Sequence, residues 1–235
     1  MATNSSTNKI TVWFIIGFLV LVAAGVVIAG AYSGLSSSSS SSSTPAGFVA
    51  TTVPALTSAD WTTGNTSSTI SFIEYGDYEC PACGEYEPII KQLIADYGNR
   101  VVFAFRNFPL YTIHPNAGIS AQAAEAAGLQ GKYWEMNNLL YTKQNDWVTT
   151  DPTQVVAKYF NGYAQSLGLD VAKFDSDMGS TQVLEKIKND VSTGDAASID
   201  HTPTFFVNLK QIPNPTSYAG FKAALETALA SSTTK

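Results

Sequence analysis

The stretch Tyr75-Gly76-Asp77-Tyr78-Glu79-Cys80-Pro81-Ala82-Cys83 holds both cysteines of the 235-residue chain. It stands where an alternating, β-branched and aromatic run, Thr69 to Tyr75, gives way to a helical pattern beginning near Pro81. Two thiols separated by two residues at a helix N-terminus are placed to form and break a disulfide with each other. The unpaired backbone N–H groups and the positive end of the helix dipole favour a thiolate on the first of them, Cys80. A CxxC is also half of a zinc site, so its surroundings must decide between redox chemistry and metal binding.

Pro81 to Tyr97 reads as a helix, with Tyr86, Ile89, Ile90, Leu93 and Tyr97 at helical spacing and Gly98-Asn99 as its stop. Pro88 lies inside it, which removes one backbone donor and predicts a kink. Arg100 to Phe105 reads as a buried strand, so strand, helix and strand form a βαβ unit with parallel strands. From about 112 to 195 the pattern is helical, in segments Ala117–Leu129, Lys132–Tyr141, Thr153–Leu167 and Val171–Val191. Thr204 to Leu209 returns to strand character and Ser217 to Ala230 closes with a helix. Strands flanking a helical block predict one α/β core with a helical insertion, because neither half of the core could bury its face alone.

Ahead of this lie segments outside the core. Ile10 to Ala31 carries no charged residue. At a rise of ~1.5 Å per residue it spans roughly 33 Å, enough to cross a hydrocarbon layer of about 30 Å. Ala29-Gly30-Ala31 has the small-residue look of a cleavage site, but the run exceeds an ordinary signal-peptide core, so residues 10–32 are read as a transmembrane anchor. Lys9 is the only basic side chain before the span and the next is Lys91, which places residues 1–9 in the cytoplasm and the remainder outside the cell membrane. A cysteine pair suits that oxidising side. Residues 33–59, with eight consecutive serines at Ser36–Ser43, read as a flexible linker. Its root-mean-square reach is roughly 25–30 Å.

All 19 acidic residues follow the anchor, with 12 of the 13 basic ones. A domain this acidic, without a Lys/Arg cluster, is a poor nucleic-acid binder. The balance keeps a tethered domain soluble and off anionic headgroups.

Five pieces in order carry a resemblance: Asp60-Trp61 with Gly64-Asn65; the Tyr75–Cys83 stretch; His114-Pro115-Asn116-Ala117; Gln130-Gly131-Lys132-Tyr133-Trp134-Glu135-Met136; and His201-Thr202-Pro203-Thr204-Phe205-Phe206-Val207-Asn208. Over Asp60 to Ala230 the chain resembles the DsbA-like thiol:disulfide oxidoreductases of the thioredoxin superfamily. The expected architecture is therefore α/β, a thioredoxin fold over 60–235 with a helical insertion, preceded by one transmembrane helix. The resemblance implies that Cys80 is the exposed, reactive cysteine and Cys83 its buried partner, flanking the dipeptide Pro81-Ala82. It implies an oxidase cycle in which a reduced exported protein attacks the disulfide, forms a mixed disulfide at Cys80 and leaves both thiols reduced. No cofactor beyond the Cys80–Cys83 pair is implied, and no metal. The implied partner is a quinone-linked membrane reoxidase of the DsbB or VKOR type, serving a monomeric enzyme.

The resemblance also assigns Glu74 as a buried acid relaying protons to the inner cysteine, and its neighbours Phe72 and Ile73 suit a raised pKa. It assigns Pro203 as a cis-proline that brings the Thr202 backbone beside the CxxC, where an extended substrate could pair with it. Glu79 next to Cys80 should disfavour the thiolate, weakly if its side chain turns to solvent. His201 is read as a possible imidazolium near Cys80 or as a surface loop residue. Cys80, Cys83, His114 and His201 supply the count for a zinc site, but gaps of 31 and 87 residues fit no compact zinc module. Tyr133, Trp134, Tyr159 and Phe160 read as core; Tyr78, Phe108 and Tyr111 as candidates for a peptide groove. A reductase or isomerase, or a binding module with a structural disulfide, are the alternative functions.

Overall fold

The computed structural model describes residues 51–232. The expected anchor, the segment before it and most of the linker lie outside these residues. Among the described residues no helix is long and apolar enough to cross a membrane.

Five strands, β1 (Thr62–Gly64), β2 (Ser71–Gly76), β3 (Val102–Asn107), β4 (Thr204–Val207) and β5 (Lys210–Ile212), form one sheet in the order β1-β3-β2-β4-β5. β2 and β3 run parallel, with Ser71 opposite Val102 and Gly76 opposite Asn107. The other pairings are antiparallel. The parallel pair is joined over one face by helix α1 (Pro81–Tyr97), as a parallel connection requires. Pro81 opens this helix, where its missing N–H would be unpaired in any case. Pro88 lies inside it and leaves the Gly84 carbonyl without its usual helical donor. The sequence pattern did not show the short edge strands β1 and β5, which span three residues each.

Alternation along the strands builds two cores. Phe72, Phe103, Phe205 and Val207 pack under Ile90 and Leu93 of α1 and under Phe221 and Leu225 of the C-terminal helix, α8 (Tyr218–Ser232). Ile73, Tyr75, Ala104 and Phe206 pack on the opposite face with Phe108, Ala197 and Ile199.

Between β3 and β4 lies the helical insertion: α2 (Ala117–Gly128), α3 (Tyr133–Thr142), α4 (Gln144–Trp147), a π-helical turn Val156–Phe160 running into α5 (Asn161–Ser166), α6 (Val171–Met178) and α7 (Thr181–Ala196). α2 is alanine-rich because α3, α6 and α7 all close on it, and Ala121, Ala123, Ala124, Ala126 and Ala127 are buried. The segment expected as one helix from Val171 is two. Gly179 ends the first, and the Ser180 hydroxyl accepts from the Val183 backbone N–H to cap the second. Tyr133 and Phe160 are buried, and Trp134 and Tyr159 pack against the same core.

The flexible linker expected to reach residue 59 ends sooner. Thr52 pairs with Lys210, Val53 is buried, and Arg106 of β3 donates to the carbonyls of Pro54 and Ala55. The same guanidinium makes a two-pronged bond to Asp60 at 2.8 and 3.1 Å and donates to the Tyr75 hydroxyl. Burial pushes the Asp60 carboxyl up, but Arg106 and the Thr57 backbone N–H more than offset this and hold it below its usual value.

The Arg106–Asp60 pair is all but enclosed, with side chains 4% and 5% exposed. Asp60→Ala, which strands the guanidinium, should lower stability by about 3–5 kcal/mol, read from the urea midpoint. The pair's contribution is present above the unfolded Asp pKa of about 3.9 and is lost as pH falls through the lower folded value. Equal stability of the variant and the parent at pH 7 would refute this role.

Candidate active site

The site forms where β2 ends and α1 begins. Asp77 shapes the loop between them: its backbone carbonyl accepts from Cys80 N–H at 3.1 Å and its carboxylate from Glu79 N–H at 2.8 Å. The carboxylate also takes the Leu110 N–H at 2.9 Å and pairs with His114 Nδ1 at 2.7 Å, so the loop is tied to the chain entering the insertion. Cys80 is the N-cap of α1, with extended backbone and no side-chain capping bond, which leaves its sulfur free for other partners.

Both cysteines are buried, Cys80 7% and Cys83 1% exposed. The expectation that Cys80 faces solvent is therefore corrected. The Thr202–Pro203 segment lies across it, and the Cys80 Sγ is 3.4 Å from the Thr202 carbonyl. The two sulfurs are not bonded to each other. The Cys83 thiol, acting as donor, is the largest influence on Cys80, exceeding desolvation, and the Cys83 and Ala82 backbone N–H groups add to it. Together they lower the Cys80 thiol to about 5. Burial pushes Cys83 well above the ordinary thiol value, helped by its bond to Cys80 and the nearby Glu74 carboxyl. One thiol is thus acidic and its partner a proton holder.

Glu74 lies on β2 on the Phe72 face, beneath α1, and is 5% exposed. Burial raises its pKa well above the carboxylate range, with repulsion from Glu87 and Cys80 adding to it. Glu87, one turn beyond Cys83 on α1, was not singled out in the sequence, although its i+4 spacing from Cys83 marks it on the same face. Desolvation lifts it to about 7. Both carboxyls line a cavity of about 150 Å³ between α1, the sheet and α3, with Phe72, Phe105, Trp134 and Asn137.

The Thr202–Pro203 peptide is cis, Pro203 accepts from Asn214 Nδ2 at 2.6 Å, and the Thr202 hydroxyl is buried among the atoms without a hydrogen-bond partner. Two modulators differ from expectation. Glu79 does not turn to solvent: it is 7% exposed, accepts from the Asn116 backbone N–H, and burial raises its pKa. Its carboxylate faces the start of the insertion because that N–H is an unpaired donor there. His201 is exposed, and its Nδ1 is paired at 2.7 Å with neighbouring Asp200 rather than with Cys80. His114 is held by Asp77, so neither histidine joins the cysteines, and no group of three metal-binding side chains occurs among the described residues. Tyr78 and Phe108 are core residues, 1% and 7% exposed, which removes them from the expected groove; Tyr111 is exposed. A residue without any local sequence signal, Gln144 of α4, reaches the loop and donates to the carbonyls of Tyr78 and Cys80.

A family model described as Thioredoxin matches residues 57–227. Among curated proteins, the chain is 35% identical over 184 residues to the Na(+)/H(+) antiporter NhaA 1 of Salinispora arenicola, covering 78% of this chain and 27% of that protein. It is 36% identical over 169 residues to NhaA 1 of Mycolicibacterium gilvum, covering 71% and 26%. The chain spans about a quarter of the length of these curated relatives. Among solved structures it is similar to oxidised BdbD from Bacillus subtilis, with a TM-score of 0.66, 22% identity and coverage of 77% and 97%. It is likewise similar to α-DsbA1 from Wolbachia pipientis, with a TM-score of 0.63, 20% identity and coverage of 76% and 94%. At these identities the likeness establishes the fold.

The asymmetry of the thiols is directly measurable. Thiolate absorbance of the reduced protein should rise with a midpoint near 5, and Cys80 alone should be alkylated at pH 6. Cys80→Ala should remove that step, whereas Cys83→Ala should keep a thiolate but shift its midpoint upward, because the leading hydrogen bond is gone. An unshifted midpoint in Cys83→Ala would refute the donation from the Cys83 thiol.

Proposed function

This chain belongs to the thioredoxin family, in the DsbA-like form of the fold, and on that premise we propose that it is a membrane-anchored, extracytoplasmic thiol:disulfide oxidase of exported proteins. The observation that carries the reading is the unequal pair: an acidic Cys80 at the helix start and a more deeply buried Cys83 beside a neutral-leaning Glu74.

The chemistry follows from that inequality. In the oxidised enzyme a substrate thiolate attacks the Cys80 sulfur, the Cys80–Cys83 bond breaks, and Cys83 leaves with the electron pair. A buried thiolate is unfavourable, so Cys83 takes a proton, and Glu74, held protonated by burial, is the donor. The substrate's second thiolate then attacks its own mixed-disulfide sulfur. Cys80 departs as a stabilised thiolate, and two electrons have passed from substrate to enzyme. A leaving thiol of low pKa departs readily, and stabilising the reduced form makes the disulfide the stronger oxidant. Thr202, whose backbone lies against Cys80, is placed to pair with the extended substrate chain.

The oxidised form is regenerated by a quinone-linked reoxidase of the DsbB or VKOR type, and a shared membrane raises the effective concentration of the two. The apolar run at 10–32 supports the anchor. The antiporter relatives support the same setting. We read their likeness as a shared thioredoxin module, attached in those proteins to a membrane transporter, and extend no ion transport to this chain. The enzyme is read as a monomer needing no cofactor beyond its cysteine pair.

The test is equilibration with glutathione and oxidative refolding of a reduced model protein. The expected potential lies on the oxidising side of about −200 mV; a value near about −270 mV, as for thioredoxin, would mark a reductase instead. Cys80→Ser should abolish exchange, and Cys83→Ser should accumulate the mixed disulfide at Cys80. A potential far below the glutathione poise, with no exchange, would mean a structural disulfide.

A further inference from the structure

Gln144 begins α4, in the middle of the insertion and 64 positions from Cys80. Its Nε2 donates to the Tyr78 carbonyl at 2.8 Å and to the Cys80 carbonyl at 2.9 Å, the two acceptors that bracket Glu79. The Cys80 carbonyl also accepts from Gly84 N–H at 3.2 Å, the first bond within α1. Gln144 Oε1 rests over Gly84, so close that a Cβ at that position would meet it at 2.6 Å. Glycine at 84 therefore leaves room for this one side chain. Its presence runs against helix propensity, which favours alanine by roughly 0.8–1.0 kcal/mol in a helix interior.

We propose that Gln144 is a positioning residue for Cys80, a clamp reaching from the insertion that fixes the backbone carrying the reactive sulfur. The proposal rests on the reading of Cys80 as the nucleophile. Carbonyl oxygens carry partial negative charge; that of Cys80 is on the sulfur's own residue and that of Tyr78 is two residues before it. An amide donor shared between them offsets that charge. It also fixes the extended Cys80 backbone that directs the sulfur toward Thr202 and Cys83. The other side of the loop is tied by Asp77 to Leu110 and His114 and by Glu79 to Asn116. With Gln144 in place, the insertion grips the cysteine loop from both sides. Because an amide does not titrate, the hold that Gln144 supplies does not change with pH.

The test is the Cys80 titration by thiolate absorbance in the reduced full-length protein, with the glutathione equilibrium measured in parallel. Gln144→Met keeps the volume and removes the donor. It should weaken the acidity of Cys80 about tenfold and shift the glutathione equilibrium about tenfold toward the disulfide, which for two electrons is about 30 mV. Gly84→Ala, which displaces the amide by steric contact, should produce the same shift. In a Gln144→Ala background, Gly84→Ala should add no further shift and should raise the urea midpoint, because the helix gains an alanine and no contact is left to lose. If Gln144 only fills space, Gln144→Met will titrate as the parent does, and the proposal fails. Additive effects of the Gly84 and Gln144 changes would also overturn it. An ordinary thiol titration near 8.5 in the parent would instead sink the nucleophile reading, and this proposal with it.

Discussion

The parallel pairing of β2 with β3 is the constraint on which the arrangement depends. Parallel neighbours cannot be joined by a tight turn, so α1 must cross over one face and start at the end where β2 stops. That places a helix N-terminus, and Cys80 with it, at the C-terminal end of the central strand. β3 runs the same way and also ends there, which launches the insertion from beside the cysteines. β4 is antiparallel to β2 and so begins at this end, delivering Thr202 and Pro203 to the sulfur. Three chain segments distant in sequence converge because one pair of strands is parallel.

Convergence has an electrostatic consequence. The two cysteines occupy adjacent positions in a single helical turn, yet one ionises easily and the other resists. The difference lies in what each meets. Cys80 at the helix start collects donors: the Cys83 thiol and backbone N–H groups. Cys83, enclosed among the insertion and sheet side chains, meets burial, Glu74 and the charge of its partner. The carboxyls around them are sorted in the same way. Glu79 is turned from the sulfur toward Asn116 by an unpaired backbone N–H, and Asp77 is spent on the loop and His114. Glu74 and Glu87 are left facing a small cavity, where desolvation raises both, Glu87 to about 7 and Glu74 well above the carboxylate range. The insertion is therefore more than a cover over the core. Through Asn116, His114 and Gln144 it holds the cysteine loop.

The elements were readable because their signals are local. Alternation marked β2, strand character marked β4, and helical spacing marked α1. Edge strands of three residues carry too few positions for a period, and the break at Gly179-Ser180 is a capping event inside an otherwise continuous apolar stripe. The arm at 51–59 looked like linker because it continues the uncharged stretch that follows the serine run. What holds it is Arg106, which belongs to another segment.

By itself the sequence determined a βαβ unit with a CxxC at its helix start, an interrupting helical block and a returning Thr-Pro strand, since periodicity and turn chemistry are written within a few residues. Only the tertiary structure decided what the sulfur meets. Cys80 lies against a carbonyl 122 positions away and within a loop gripped by an amide 64 positions away. Glu79 and His201, adjacent in sequence to the site, are turned to partners of their own. The reason is physical: a side chain's direction and the dielectric around it are set by whichever distant segments pack there, and no local pattern encodes that.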